Sequence, residues 1–209
     1  MYLPELSPRY KSLKSTAGAI IEISPESLAH VSDFAVRIGG GPVKPPNSSS
    51  SRPLDANHLT KLVPSGAALI LDYGPSATIP MNSLRGIRAH KAVSPFSSPG
   101  QVDISADVDF IALAEAAINA SPAVEVHGPV EQGIFLQAMG IQQRARALMS
   151  KAQNEEAAKR IESGWKRLVD RGPGGMGKVY KAMAIVPHLP PKEGQSRRRP
   201  VGFGGDVVG

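Results

Sequence analysis

The 209-residue chain contains no cysteine. Disulfides, thiolate metal sites and cysteine nucleophiles are therefore excluded together, and an intracellular compartment is permitted. No apolar run approaches the roughly 20 residues that a membrane-spanning helix requires. Gly-x-Ser-x-Gly is absent, so hydrolysis through a nucleophile elbow has no support. The five histidines include no His-Glu-x-x-His and no i, i+4 pair, which argues against a zinc site. Aromatic residues make up only 5% of the chain, against 21 glycines and 19 prolines, so part of its length is expected to be loop.

The formal charge is +6, but the basic residues are scattered and only Arg197, Arg198 and Arg199 form a cluster. A nucleic-acid interface would need a basic face with interleaved aromatics, so none is expected. Near the N-terminus, two prolines and Glu5 spoil an amphipathic targeting helix. Structured patterning starts almost at once, as expected of a chain that begins inside a domain.

A 41% hydrophobic content suffices for one ordinary core. Gly18 to Ile23 reads as a strand. Ser24-Pro25-Glu26 then supplies a helix cap, a first-turn proline and an acid at the positive end of the helix dipole. Leu28, Val31, Ala35 and Ile38 share one face until Gly39 stops the helix. Residues 42–58, with four consecutive serines, bury too little to offset their ordering entropy and are expected to be a flexible insertion. Ala67 to Leu71 is the next strand, and Ile79 to Ser98 reads as surface loop or a short strand. Phe110, Leu113, Ala114, Ala117 and Ile118 follow the spacing of a helix capped by Ser105 or Asp107. After a short strand at Ala123 to Val126 come helices at Glu131 to Met139, Ile141 to Ser150 and Asn154 to Val169, then a strand at Val179 to Val186. The fold class is α/β, with the last strand expected to be antiparallel at or near a sheet edge. Residues 1–188 would form the domain and 189–209 a disordered basic tail.

Gly172 to Lys178 matches the spacing of a phosphate loop, but Val179 replaces the magnesium-holding hydroxyl residue and the order is helix, loop, strand. It reads as a glycine-rich turn. The acids are more suggestive. Asp103, Asp107 and Asp109 cluster in sequence, and Asp72 ends an apolar run at Asp72-Tyr73-Gly74, the kind of strand end where α/β sheets bind ligands. Carboxylates there suit a guanidinium, whose paired N–H donors they accept. Each has a structural alternative, because Asp107 or Asp109 can cap a helix and Asp72 can end a strand before a turn.

In order, Ser24-Pro25, Leu69 to Gly74, Leu84-Arg85-Gly86 with His90-Lys91, Pro99-Gly100 with Asp103 and Asp107 to Phe110, Gly128 to Gln132, Phe135-Leu136, Met139 to Ile141, and Met176-Gly177 with Pro187-His188 resemble the C-terminal half of one family. It is the MidA-type family of S-adenosylmethionine-dependent methyltransferases, known as mitochondrial complex I assembly-factor protein arginine methyltransferases. The resemblance implies a partial Rossmann-like sheet, a mitochondrial matrix location, and methyl transfer to arginine in a complex I subunit. It implies catalytic roles for Asp72, Asp103 and Asp109, and substrate contacts by Tyr73, His90 and Gln132. S-adenosylmethionine is the implied cofactor, yet the family's glycine-rich cofactor loop has no counterpart in this chain. Pro75 stands where the family usually has histidine, and Met81-Asn82-Ser83 where an acid precedes the Leu-Arg-Gly segment. The chain thus reads as a truncated methyltransferase, the alternative being a non-catalytic module that grips an assembly partner.

Overall fold

The structure is a computed structural model that describes residues 8–13, 15–18, 20–41, 63–190 and 199–205. The insertion expected at 42–58 lies outside the described residues. The elements are α1 (Pro8–Lys11), α2 (Pro25–Ile38), β1 (Ala68–Tyr73), β2 (Arg85–Arg88), β3 (Lys91–Val93), β4 (Asp103–Ser105), α3 (Phe110–Ala120), β5 (Val124–Glu131), α4 (Gln132–Ala138), α5 (Ile141–Met149), α6 (Glu155–Val169) and β6 (Tyr180–Pro187). This is the mixed α/β class that the pattern implied.

Local chemistry explains the helix starts. Ser24 Oγ accepts from Ser27 N at 3.3 Å ahead of Pro25, Asp109 Oδ1 accepts from Ala112 N at 3.1 Å, and Asn154 Oδ1 accepts from Ala157 N at 2.8 Å. Each side chain satisfies one of the orphan N–H groups of a first helical turn.

The main sheet has the order β1-β6-β5, with β6 antiparallel to both neighbours. The last strand is therefore central, where an edge position was expected. Its alternation explains why: Met183 and Ile185 face one helical layer, Ala182 and Ala184 the other, and all four are buried. A strand buried on both faces reads as a nearly continuous apolar run and belongs inside a sheet. On the first face, Val31 and Ala35 of α2 and Phe110, Leu113 and Ala117 of α3 complete the core. Ile118, expected in the same stripe, is exposed. Burying a side chain such as Phe110, Met183 or Ile185 is worth roughly 1.5–3 kcal/mol.

On the second face, Phe135 of α4 meets Phe203 with ring centroids 5.4 Å apart over Ala182 and Ala184. Phe203 belongs to the segment expected to be a solvated tail, but it is 8% exposed and sits in a turn closed by a bridge between Val201 and Gly205. An aromatic ring covering the small side chains of β6 removes too much apolar surface from water for residues 199–205 to be tail. The rest of that stretch, 191–198 and 206–209, lies outside the described residues.

Residues 20–24, expected to end a strand, are extended but join no ladder. Glu22 N instead donates to Pro80 O at 3.2 Å. Ile79 to Ser98, expected to be surface loop or a short strand, carries β2 and β3, which with β4 form a second sheet of order β3-β2-β4.

Candidate active site at the end of strand β1

β1 delivers Asp72 and Tyr73 to the start of α3. The crossing is tight, since Val108 N donates to Tyr73 O at 2.9 Å and a Cβ on Gly74, whose φ is 153°, would lie 2.3 Å from Val108 O. Only glycine fits there. A cavity of about 260 Å³ opens at this crossing, and Tyr10, Glu22, Asp72, Asp107 and Asp109 all border it. Asp107 also borders a second cavity of about 540 Å³, together with Glu131, Lys178 and Lys181.

The four carboxylates around the first cavity are held differently. Asp109 accepts from Arg9 Nη1 at 2.9 and 3.1 Å, from the Tyr10 hydroxyl at 2.7 Å and from Ala112 N. Asp107 accepts from Arg85 Nη1 at 2.7 Å, and the Arg85 guanidinium lies 4.7 Å above the Tyr73 ring. Glu22 accepts from Ser83 N at 2.9 Å, from Leu84 N at 3.0 Å and from the Ser83 hydroxyl. Burial pulls its pKa up, but those hydrogen bonds and the charge of Arg85 outweigh it and leave the carboxyl below its ordinary value. Asp72 accepts from Tyr73 N at 2.7 Å through Oδ1, and among the described residues Oδ2 takes no hydrogen bond. Asp72 thus has acceptor capacity left for a ligand, and unlike Asp107 and Asp109 it holds no guanidinium.

Aromatic groups stand behind these acids. Tyr73 and Tyr180 pack with centroids 4.1 Å apart, and burial followed by the hydrogen bond with Tyr73 pushes the Tyr180 phenol up to about 12. Burial and the bond to Asp109 also hold the Tyr10 phenol well above its ordinary value. Lys181, 6% exposed on β6, donates to the Lys178 and Val179 carbonyls, and burial lowers its pKa.

Of the six residues that the sequence singled out, Asp72 and Asp109 meet at the first cavity and Tyr73 flanks it through Arg85. The other three lie elsewhere. Asp103 is on β4, opposite Ile87 in the small sheet, exposed and bordering neither cavity. His90 is exposed in the turn between β2 and β3, with φ of 61°. Gln132 is buried, and its side-chain amide donates to Leu168 O at 2.9 Å, tying α4 to the end of α6. Glu22, Tyr10, Arg9 and Arg85 were missed, because each reaches the site across a long stretch of chain. Arg85 and Asp107 carried the one available signal, opposite charges among the quoted motifs.

The glycine-rich turn at 172–177 is spent on packing. A Cβ on Gly175 would lie 2.1 Å from Asp170 O, and one on Gly177 2.3 Å from Val169 O. No group of residues that could hold a metal ion occurs among the described residues, and no helix among them is long and apolar enough to cross a membrane.

The family described as "Putative S-adenosyl-L-methionine-dependent methyltransferase" matches residues 1–130, well over half of the chain, and the chain belongs to that family. Curated relatives include the protein arginine methyltransferase NDUFAF7, mitochondrial, of Xenopus laevis, 36% identical over 123 residues, covering 59% of this chain and 27% of the relative. The mouse protein of the same name is 37% identical over 123 residues with the same coverage, and the human one 32% identical over 133 residues, covering 64% of this chain and 29% of the relative. The chain thus spans less than a third of the length of these relatives. In structure it resembles an uncharacterized protein from Burkholderia thailandensis with a TM-score of 0.57 and 19% identity, covering 95% of this chain and 45% of the other. That likeness concerns the fold.

Proposed function

We propose that this chain is the acceptor-side portion of a protein arginine methyltransferase that acts in the mitochondrial matrix on a subunit of respiratory complex I. Three relatives are named as mitochondrial arginine methyltransferases, which supports the substrate class and the compartment. The observation that carries the reading is Asp72, a carboxylate with an open acceptor at the end of β1, in a cavity whose neighbouring acids already hold guanidinium groups. An incoming arginine would give its N–H pair to Asp72.

S-adenosylmethionine, the methyl donor of the family, does not fit the described residues. In the turn at 172–177, Gly175 and Gly177 pack against the carbonyls of Asp170 and Val169, and the acidic cavity is smaller than the roughly 300–1,000 Å³ usual for ligand pockets. Donor binding would fall to residues outside the described ones. What the chain supplies is orientation of the acceptor, a large part of the work in bringing two reactants to near-attack distance.

The test joins this chain to the upstream portion of the mouse relative and follows isotopically labelled methyl from S-adenosylmethionine onto an arginine peptide. Transfer that Asp72→Asn abolishes supports the reading; no transfer, or transfer indifferent to Asp72→Asn, overturns it. A second reading, a non-catalytic module for an assembly partner, draws on the internal pairing of Asp107 with Arg85 and Asp109 with Arg9. It predicts partner binding that survives Asp72→Asn.

A further inference from the structure

Asp109 is already doing what an acceptor site for arginine must do. Arg9 Nη1 forks onto both of its oxygens at 2.9 and 3.1 Å, while Nη2 reaches Ala77 O at 3.2 Å. The guanidinium is thus read as a planar fork by a carboxylate and a main-chain carbonyl, a geometry that an ammonium group would not reproduce. The Tyr10 hydroxyl completes the seat from the side at 2.7 Å, and Tyr10 itself is 5% exposed.

We propose that Asp109, Tyr10 and Ala77 form a guanidinium-binding seat, and that Arg9 is its resident occupant, displaced when a peptide arginine binds. The inference rests on the arginine-directed reading above and deepens it. Three observations carry it. Arg9 and Asp109 are 100 residues apart in sequence, and α1 is only four residues long, too short to hold itself in a helix, so contacts from elsewhere in the chain, this pair among them, hold the segment in place. Asp109 and Tyr10 border the same cavity as Asp72, which gives an outside arginine a way in. Finally, the two oxygens of Asp109 already accept four hydrogen bonds, two from Arg9 and one each from Tyr10 and Ala112 N. A carboxylate offers about four lone-pair sites, so a second guanidinium enters by exchange and not by addition.

An occupant tethered to its own seat competes at an effective concentration on the order of millimolar, so removing it should raise the affinity for an outside guanidinium at least about tenfold. The experiment is calorimetric titration of Nα-acetyl-arginine methylamide into the full chain. Arg9→Met is expected to bind the probe at least about tenfold more tightly than the natural sequence, and Arg9→Met with Asp109→Asn to lose that gain. Asparagine is the right second change, because it still caps α3 while removing the charge. Equal affinity in a folded Arg9→Met protein would reduce the pair to a structural tie, and a gain that survives Asp109→Asn would place the seat elsewhere. Should Arg9→Met fail to fold, Arg9→Lys keeps the charge but not the fork, and a gain of a few-fold is expected; no gain overturns the proposal. Probe binding through Asp109 beside a failed methyl-transfer assay would leave this seat standing and sink the catalytic reading, and the converse pair of results would do the reverse.

Discussion

The two margins of the main sheet are built to different standards. On the β5 side, Phe203 and Phe135 close over Ala182 and Ala184, so the sheet is covered on both faces. On the β1 side, Ala68 and Ile70 pack on the α2 and α3 layer, whereas Leu69 and Leu71 on the opposite face are 51% and 46% exposed. Among the described residues, β1 and β5 are both edge strands, so the difference lies in what covers their faces. One margin is packed like a domain interior and the other leaves two leucines half exposed, and Asp72 stands at the end of the exposed one.

That comparison can be broken by substitution. Phe203→Ala should cost about 3 kcal/mol, because a large ring leaves a packed site, whereas Leu71→Ala should stay within about 0.5 kcal/mol. Chemical denaturation of the two variants measures both, and a Leu71→Ala cost as large as that of Phe203→Ala would mean that β1 is covered in solution.

Alkaline pH probes the same margin through Tyr180, which opens β6 opposite Tyr73. Its phenol lies at about 12 in the fold against the ordinary 10.0, so the folded chain holds the proton more tightly than the unfolded one. The contribution is complete below pH 10 and is lost as pH rises from there through about 12. Tm should fall across that window and fall less in Tyr180→Phe; equal slopes in the two proteins would remove Tyr180 as the cause.

The smallest effect is expected at acid pH. The Glu22 carboxyl titrates below its ordinary value in the fold, so its contribution is present above the usual carboxylate range and fades as pH falls through the lowered value. Glu22→Gln should slightly flatten the acid limb of a Tm profile, since this clamp on Ser83 and Leu84 lies near the surface. An unchanged limb would remove Glu22 as a source of acid sensitivity.

Much of the architecture was legible in advance where the deciding interactions are local. Ser24-Pro25-Glu26 marked the start of α2, and the stripe through Phe110, Leu113 and Ala117 marked α3, because caps and periodicity act within a few residues. The position of β6 was not legible: its run of apolar side chains shows that it is buried, while its partners β1 and β5 lie far away in sequence. The site divided along the same line. Asp72 and Asp109, singled out by strand-end and motif reasoning, border one cavity, whereas the pairing of β4 with β2 carries Asp103 into the small sheet. Gln132 lay in a recognised motif, yet its amide is spent on Leu168 O, a contact that no spacing reveals.

By itself the sequence determined the main helices and the strands β1, β5 and β6, the absence of thiol chemistry, and the family. These follow from residue identities and from interactions that span a turn or less. Tertiary structure alone decided which carboxylates hold a guanidinium and which do not, since that depends on whether Arg9 and Arg85 arrive from far along the chain. Hydrogen-bond capacity is a property of three-dimensional neighbours, and a linear order of residues does not record it.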